Sequence, residues 1–86
     1  MQIISVIGSG TMGNGIAHTF ALSGYLVHLI DTSEESLKKG MEIIHKNLDR
    51  QIAKNLITDE LKQKTINNIK TFTDLSLAVH DSDLII

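Results

Sequence analysis

An apolar run that passes directly into three spaced glycines constrains this chain more than any other feature. Ile3-Ile4-Ser5-Val6-Ile7 leads into Gly8-Ser9-Gly10-Thr11-Met12-Gly13, and helix-forming residues follow. A strand, a tight turn and a helix in that order put the first-turn N–H groups of the helix at the end of the strand. There the unpaired donors and the helix dipole favour an anion. The three glycines serve different ends. Gly8 permits the turn, Gly10 lets the backbone approach a pyrophosphate, and Gly13 lets helix and sheet pack closely. The spacing therefore predicts a dinucleotide cradle. Thr11 and Met12 would offer backbone N–H groups or line the nicotinamide side, with Met12 alternatively the first core residue of the helix.

Glycine triplets also arise by chance, so the surroundings decide. Tyr25 to Ile30 reads as a second strand ending in Asp31, 18 positions after Gly13, near the spacing of about 20 expected for an acid that binds the adenosine ribose. A 2′-phosphate beside that carboxylate would meet like charge, at about 4 kcal/mol per unit-charge pair ~4 Å apart near a surface. The expected cofactor is NAD rather than NADP. The alternative for Asp31 is a helix-capping or solvated loop acid, and the strand, turn, helix and strand context favours the ribose role.

The 86 residues suffice for one domain or part of one, and the core must be aliphatic because aromatic residues make up only 3 % of the chain. Aliphatic strands suit a buried parallel sheet. A formal charge of −2 gives no electrostatic footprint for nucleic acid or an anionic membrane, and the lack of cysteine removes disulfides and thiolate metal sites. The N-terminal apolar run is too short for a signal peptide or a membrane span, so a cytoplasmic location is expected.

Between the strands the periodicity is helical. The first helix is expected from about Met12 to Ser23, with Met12, Ile16 and Phe20 beside Ala17 and Ala21 forming the face packed on the sheet, and Gly24 ending it in the left-handed conformation. Gly15, in the first turn, costs about 1 kcal/mol relative to alanine, and close packing against a cofactor or a neighbouring strand is its simplest reason. After Asp31, Thr32 and Glu35 have capping-box spacing, and Leu37, Met41, Ile44, Leu48 and Ile52 predict a long amphipathic helix. Asn55 and Leu56 break that pattern, and Thr58 opens another helix with Asp59 and Glu60 in its first turn. The next strand-like run, Ile69 to Phe72, begins 38 positions after Asp31, far more than one crossover helix requires. An inserted helical hairpin is predicted. A capped turn from Asp74 to Val79 then leads to a fourth strand, Asp83 to Ile86.

Taken together, Val6 to Ala17 with its Gly-Ser-Gly-Thr-Met-Gly turn, the hairpin containing Lys46-Asn47-Leu48, Thr73-Asp74-Leu75, and Ser82-Asp83-Leu84-Ile85-Ile86 resemble the NAD-binding domain of 3-hydroxyacyl-CoA dehydrogenases. The likeness spans the whole chain. It implies hydride transfer between NAD(H) and the 3-hydroxy or 3-keto carbon of an acyl-CoA, and a hairpin that helps to hold coenzyme A. The positions matching the family's coenzyme A contacts are Asn47, where several relatives carry serine, and Lys54. Lys46, Arg50 and Lys54 also recur four residues apart, a stripe that would grip phosphates or simply be solvated.

The resemblance also implies that the catalytic histidine and its glutamate partner follow the fourth strand, with a helical dimerisation domain after them. The four histidines of this chain, His18, His28, His45 and His80, share no spacing and no motif-placed acid, so none is expected to take over the role. The chain is thus expected to be the N-terminal part, residues 1–86, of a Rossmann-like doubly wound α/β domain with parallel strand order 3-2-1-4. It is expected to be inactive alone and to belong to a homodimer when complete. The unpaired outer edge of the fourth strand and one thinly covered apolar sheet face would favour low solubility, partial order or association. Two other readings stay open: a non-catalytic NAD-binding or redox-sensing module, and another hydroxyacid dehydrogenase with a Gly-x-Gly-x-Met-Gly turn. The long hairpin weighs against the latter.

Overall fold

Aliphatic strands separated by helices pair in parallel, because a crossover returns the chain to the same end of the sheet. The computed structural model describes residues 2–74, 82 and 84–86. The elements are β1 (Ile3–Ile7), α1 (Thr11–Leu22), β2 (Leu26–Ile30), α2 (Glu34–Ala53), α3 (Asp59–Asn67), β3 (Ile69–Phe72) and β4 (Leu84–Ile85). They form one sheet of order β3-β2-β1-β4 with every pairing parallel. The register sets Ile3 against Leu26 and Ile7 against Ile30, Val27 against Ile69, and Ile4 against Leu84.

Strand side chains alternate between faces, and one face carries the core. Ile4 and Val6 of β1, Val27 and Leu29 of β2, and Ile69 of β3 are buried with Ala17 and Ala21 of α1 and Leu37, Ile44 and Leu48 of α2. The hairpin is tied down separately. Lys62 of α3 meets Asp49 of α2 at 2.6 Å, and the Asn68 amide donates to the Ala21 carbonyl of α1 at 3.1 Å. No helix among the described residues is long and apolar enough to cross a membrane.

Two helices end by the same device. Gly24, at φ +99°, lets its own N–H reach Ala21 O while Tyr25 N–H reaches Phe20 O, both at 3.1 Å, and the Phe20 and Tyr25 rings meet edge to face at 5.5 Å. Asn55, at φ +59°, closes α2 in the same way, with Leu56 N–H on Gln51 O at 2.9 Å.

The structure corrects several expectations. Helix α2 is capped by Ser33, whose hydroxyl accepts from Ser36 N–H at 3.2 Å, and the Thr32–Glu35 capping box does not form. The reason lies one residue upstream: the Asp31 carboxylate takes the Ser33 N–H at 3.0 Å and leaves Ser33 extended at the helix entrance. Met12 is 80 % exposed rather than a core residue. Helix α1 approaches the sheet along the small residues Gly13, Ala17 and Ala21, so Ile16 and Phe20 pack only at its flank. Gly15 is not packed on a strand, since a Cβ there would meet nothing within 4 Å. Most of the Asp74 to Val79 turn, His80 and Asp83 lie outside the described residues.

Gly13 has the reverse environment. A Cβ there would stand 1.7 Å from the Gly8 carbonyl oxygen and 2.8 Å from its carbon. Gly13→Ala is expected to destabilise the fold by about 3 kcal/mol or more, whereas Gly15→Ala should be neutral or stabilising by up to about 1 kcal/mol. Urea unfolding followed by circular dichroism compares the two, and equal midpoints would contradict this packing.

Candidate functional site

The turn after β1 is held from below and open above. Gly8, at φ +93°, donates its N–H to the Ile30 carbonyl at 2.7 Å, which fixes the start of the turn to the C-terminal end of β2. Gly10 is the N-cap residue of α1 in extended conformation, and a Cβ there would meet nothing within 4 Å. Thr11, Met12 and Gly13 form the first turn of α1. Their N–H groups point out of the helix end with no intrahelical acceptor, and no side chain among the described residues caps them. No acidic residue stands in that turn either, whereas α2 and α3 begin with serine and threonine caps and two acids each. The combination leaves the α1 terminus ready to receive negative charge from outside the chain.

Asp31 lies where β2 ends, level with this turn. Its Oδ2 accepts from the backbone N–H of Ser9 at 3.0 Å and from the Ser9 hydroxyl at 2.9 Å, and Oδ1 accepts from Ser33 N–H at 3.0 Å. The Ser33 N–H, then the Ser9 N–H and hydroxyl, hold the carboxyl below the usual aspartate range, and partial burial opposes them only weakly. The carboxylate thus braces the cap region of α2, as its helix-capping reading expects, and also clasps the glycine-rich turn, which the sequence did not announce. An ionised carboxylate offers about four lone-pair positions. Both positions on Oδ2 are taken by Ser9, while Oδ1 receives the Ser33 N–H, with the Thr32 N–H also near the carboxylate, and Oδ1 is the oxygen a ligand hydroxyl would approach.

Gly8, Gly10, Thr11, Met12, Gly13 and Asp31 are therefore gathered at one end of the sheet by β1, α1 and β2. Sequence reasoning missed Ser9, buried between the glycines, and Gly40, whose absent side chain admits α2 against Ser9. A small donor inside the turn and a glycine in the middle of a long helix were the available signals.

Asn47 and Lys54 come together on a second concavity. With Arg50, Gly15 and His18 they line a cleft of about 340 Å³ between α1 and the last turns of α2. His18 Nε2 is hydrogen-bonded there to Gln51 Oε1 at 3.0 Å, an amide rather than a carboxylate partner. Lys46 is not part of it and stands over a separate hollow with Glu42 and Asp49. Four-residue steps drift by about 40° around a helix, so the three expected cations divide between two surfaces. A larger cleft, about 650 Å³, runs between the first half of α2 and β3 beside Glu34, Glu35 and Lys38, and it includes none of the glycine-turn residues.

Comparison with known proteins places this geometry. The family described as 3-hydroxyacyl-CoA dehydrogenase, NAD binding domain, matches residues 3–86. A 3-hydroxybutyryl-CoA dehydrogenase of Bradyrhizobium diazoefficiens is 46 % identical over 83 residues, covering 96 % of this chain and 28 % of that protein. The human mitochondrial hydroxyacyl-coenzyme A dehydrogenase is 38 % identical over 89 residues, with the same two coverages of 96 % and 28 %. The crystal structure of (S)-3-hydroxybutyryl-CoA dehydrogenase from Ralstonia eutropha superposes with a TM-score of 0.94 at 32 % identity, over 99 % of this chain and 30 % of that one. The chain thus spans little more than a quarter of the length of these relatives, at 28 to 30 %. Over that span, sequence and fold agree: the chain belongs to the NAD binding domain family of the 3-hydroxyacyl-CoA dehydrogenases.

Proposed function

We propose that this chain supplies the cofactor half of an L-3-hydroxyacyl-CoA dehydrogenase, with the glycine turn and Asp31 holding NAD. The observation that carries the reading is the pairing of an uncapped α1 terminus with an ionised acid fixed beside it at the end of β2. Bound there, NAD supplies the hydride acceptor, or NADH the donor, for the 3-hydroxy and 3-keto carbon of an acyl-CoA. The chain's own residues position it. Backbone N–H groups of Thr11, Met12 and Gly13 would take the pyrophosphate, Gly8 and Gly10 would keep the approach clear, and Asp31 would accept a ribose hydroxyl. The negative carboxylate sets the preference for NAD over NADP.

The cleft between α1 and α2 completes the proposal. Asn47 and Lys54, joined by Arg50, would hold phosphate or pantetheine oxygens of coenzyme A. The proton-abstracting residues lie outside residues 1–86 in this reading, residues 1–86 being the N-terminal part of the NAD-binding domain, and the whole protein is a cytoplasmic homodimer. The short span of relatives covered, 28 %, supports this division.

Calorimetric titration of the folded chain is expected to show saturable NAD binding and at least tenfold weaker NADP binding. Asp31→Asn should weaken NAD by about tenfold, from the loss of a charge-assisted hydrogen bond, and narrow the difference from NADP. Absence of NAD binding by a folded chain would overturn the assignment.

The pH dependence has a definite sign. A carboxyl whose folded pKa is depressed contributes stability above its unfolded value of about 4, and that contribution is lost as pH falls through the lower folded value. Asp31→Asn should therefore destabilise the chain at pH 7, with the gap from the unaltered chain shrinking below about pH 4 in urea unfolding. A gap independent of pH would contradict the clasp. For the second cleft, Lys54→Ala is expected to weaken coenzyme A by about two- to fivefold, with a smaller loss in high salt. An unchanged, salt-independent affinity would remove Lys54 from the site.

A further inference from the structure

Ser9 occupies a position where its backbone alone would complete the turn. Any residue there offers the N–H that reaches Asp31 Oδ2 at 3.0 Å, yet the serine hydroxyl adds a second bond to the same oxygen at 2.9 Å. Ser9 is 3 % exposed, and α2 lies against it at Gly40. A Cβ at Gly40 would stand 3.0 Å from the Ser9 carbonyl oxygen and 3.4 Å from Ser9 Cβ. The glycine turn, the acid at the end of β2 and the inserted helix therefore meet on one small side chain. Oδ1 of the same carboxylate is held by Ser33 N–H at 3.0 Å, so α2 is joined to the acid as well.

We propose that Ser9 is a positioning residue that sets cofactor selectivity: its hydroxyl occupies Asp31 Oδ2 and fixes the carboxylate plane, so that Oδ1 alone is offered to a ribose hydroxyl. The inference rests on the NAD reading given above. With the hydroxyl present, both lone-pair positions of Oδ2 are filled and the carboxylate cannot turn away from a ligand. A ribose hydroxyl then meets a preorganised acceptor, and a 2′-phosphate meets a fixed negative charge. Without the hydroxyl, the Ser9 and Ser33 N–H groups still hold one oxygen each, so the carboxylate is fixed by two bonds rather than three. Its plane is then less tightly set, so a ribose hydroxyl meets a less ordered acceptor and a 2′-phosphate meets a charge that can tilt away. The hydroxyl is also one of the groups that keep the carboxyl ionised.

NAD and NADP titrations of four chains test this: the unaltered chain, Ser9→Ala, Asp31→Asn and the double variant, each first shown to be folded by circular dichroism. Ser9→Ala is expected to weaken NAD by about two- to tenfold without weakening NADP, and the penalty should vanish when Asp31 is already asparagine. The acid limb of NAD binding should also move to higher pH in Ser9→Ala. Unchanged NAD affinity, equal losses for NAD and NADP, or the same loss in both backgrounds would show that the hydroxyl only packs the turn, and would overturn the proposal while leaving the NAD site intact. An unaltered chain that binds no NAD would overturn both. If Ser9→Ala does not fold, Ser9→Cys replaces the hydroxyl with a weak S–H donor at similar volume, and the same comparisons decide.

Discussion

The contact between Gly13 and the Gly8 carbonyl is the constraint from which the rest of the site follows. A side chain at position 13 would overlap that oxygen at 1.7 Å, so helix and turn can approach only because none is there. This approach brings α1 onto the sheet along Gly13, Ala17 and Ala21, seats its N-terminus at the C-terminal end of β1, and turns Met12 outward. The opening of α1 toward solvent is therefore a packing result before it is a binding feature. In parallel α/β sheets, that end of the strands is where connecting turns and helix termini converge on ligands.

Asp31 makes the second connection. Its carboxylate draws together the glycine turn through Ser9 and the cap of α2 through Ser33. Since α2 also leans on Ser9 where Gly40 lacks a side chain, the inserted hairpin is mechanically continuous with the nucleotide turn. The proposed coenzyme A cleft lies at the other end of the same helix, bounded by Asn47, Arg50 and Lys54. One rigid element of 20 residues thus carries both edges of the proposed reaction site.

Much of this arrangement was legible in the residues. Period and punctuation located β1, β2, β3 and the three helices of the described residues, because Gly24, Asn55 and Thr58 mark boundaries by local backbone chemistry and the apolar rhythm after Asp31 marks α2. What was not legible depended on three-dimensional competition. Thr32 and Ser33 are both competent caps, and only the Asp31 carboxylate, reaching the Ser33 N–H, decides between them. Met12 is apolar at a helical spacing, yet the smaller Gly13 and Ala17 win the closest approach. Lys46 shares a four-residue rhythm with Arg50 and Lys54, but helical drift carries it to another face. The Ser9 to Asp31 clasp spans 22 positions and left no periodic trace.

The most direct test of the central claim is amide NMR of the isotope-labelled chain during NAD titration. Shifts are predicted to concentrate on Ser9 to Gly13 and on Asp31 to Ser33, with smaller changes along α2 near Gly40. Shifts confined to the larger cleft beside Glu34, Lys38 and Thr71, with the glycine turn unmoved, would contradict it.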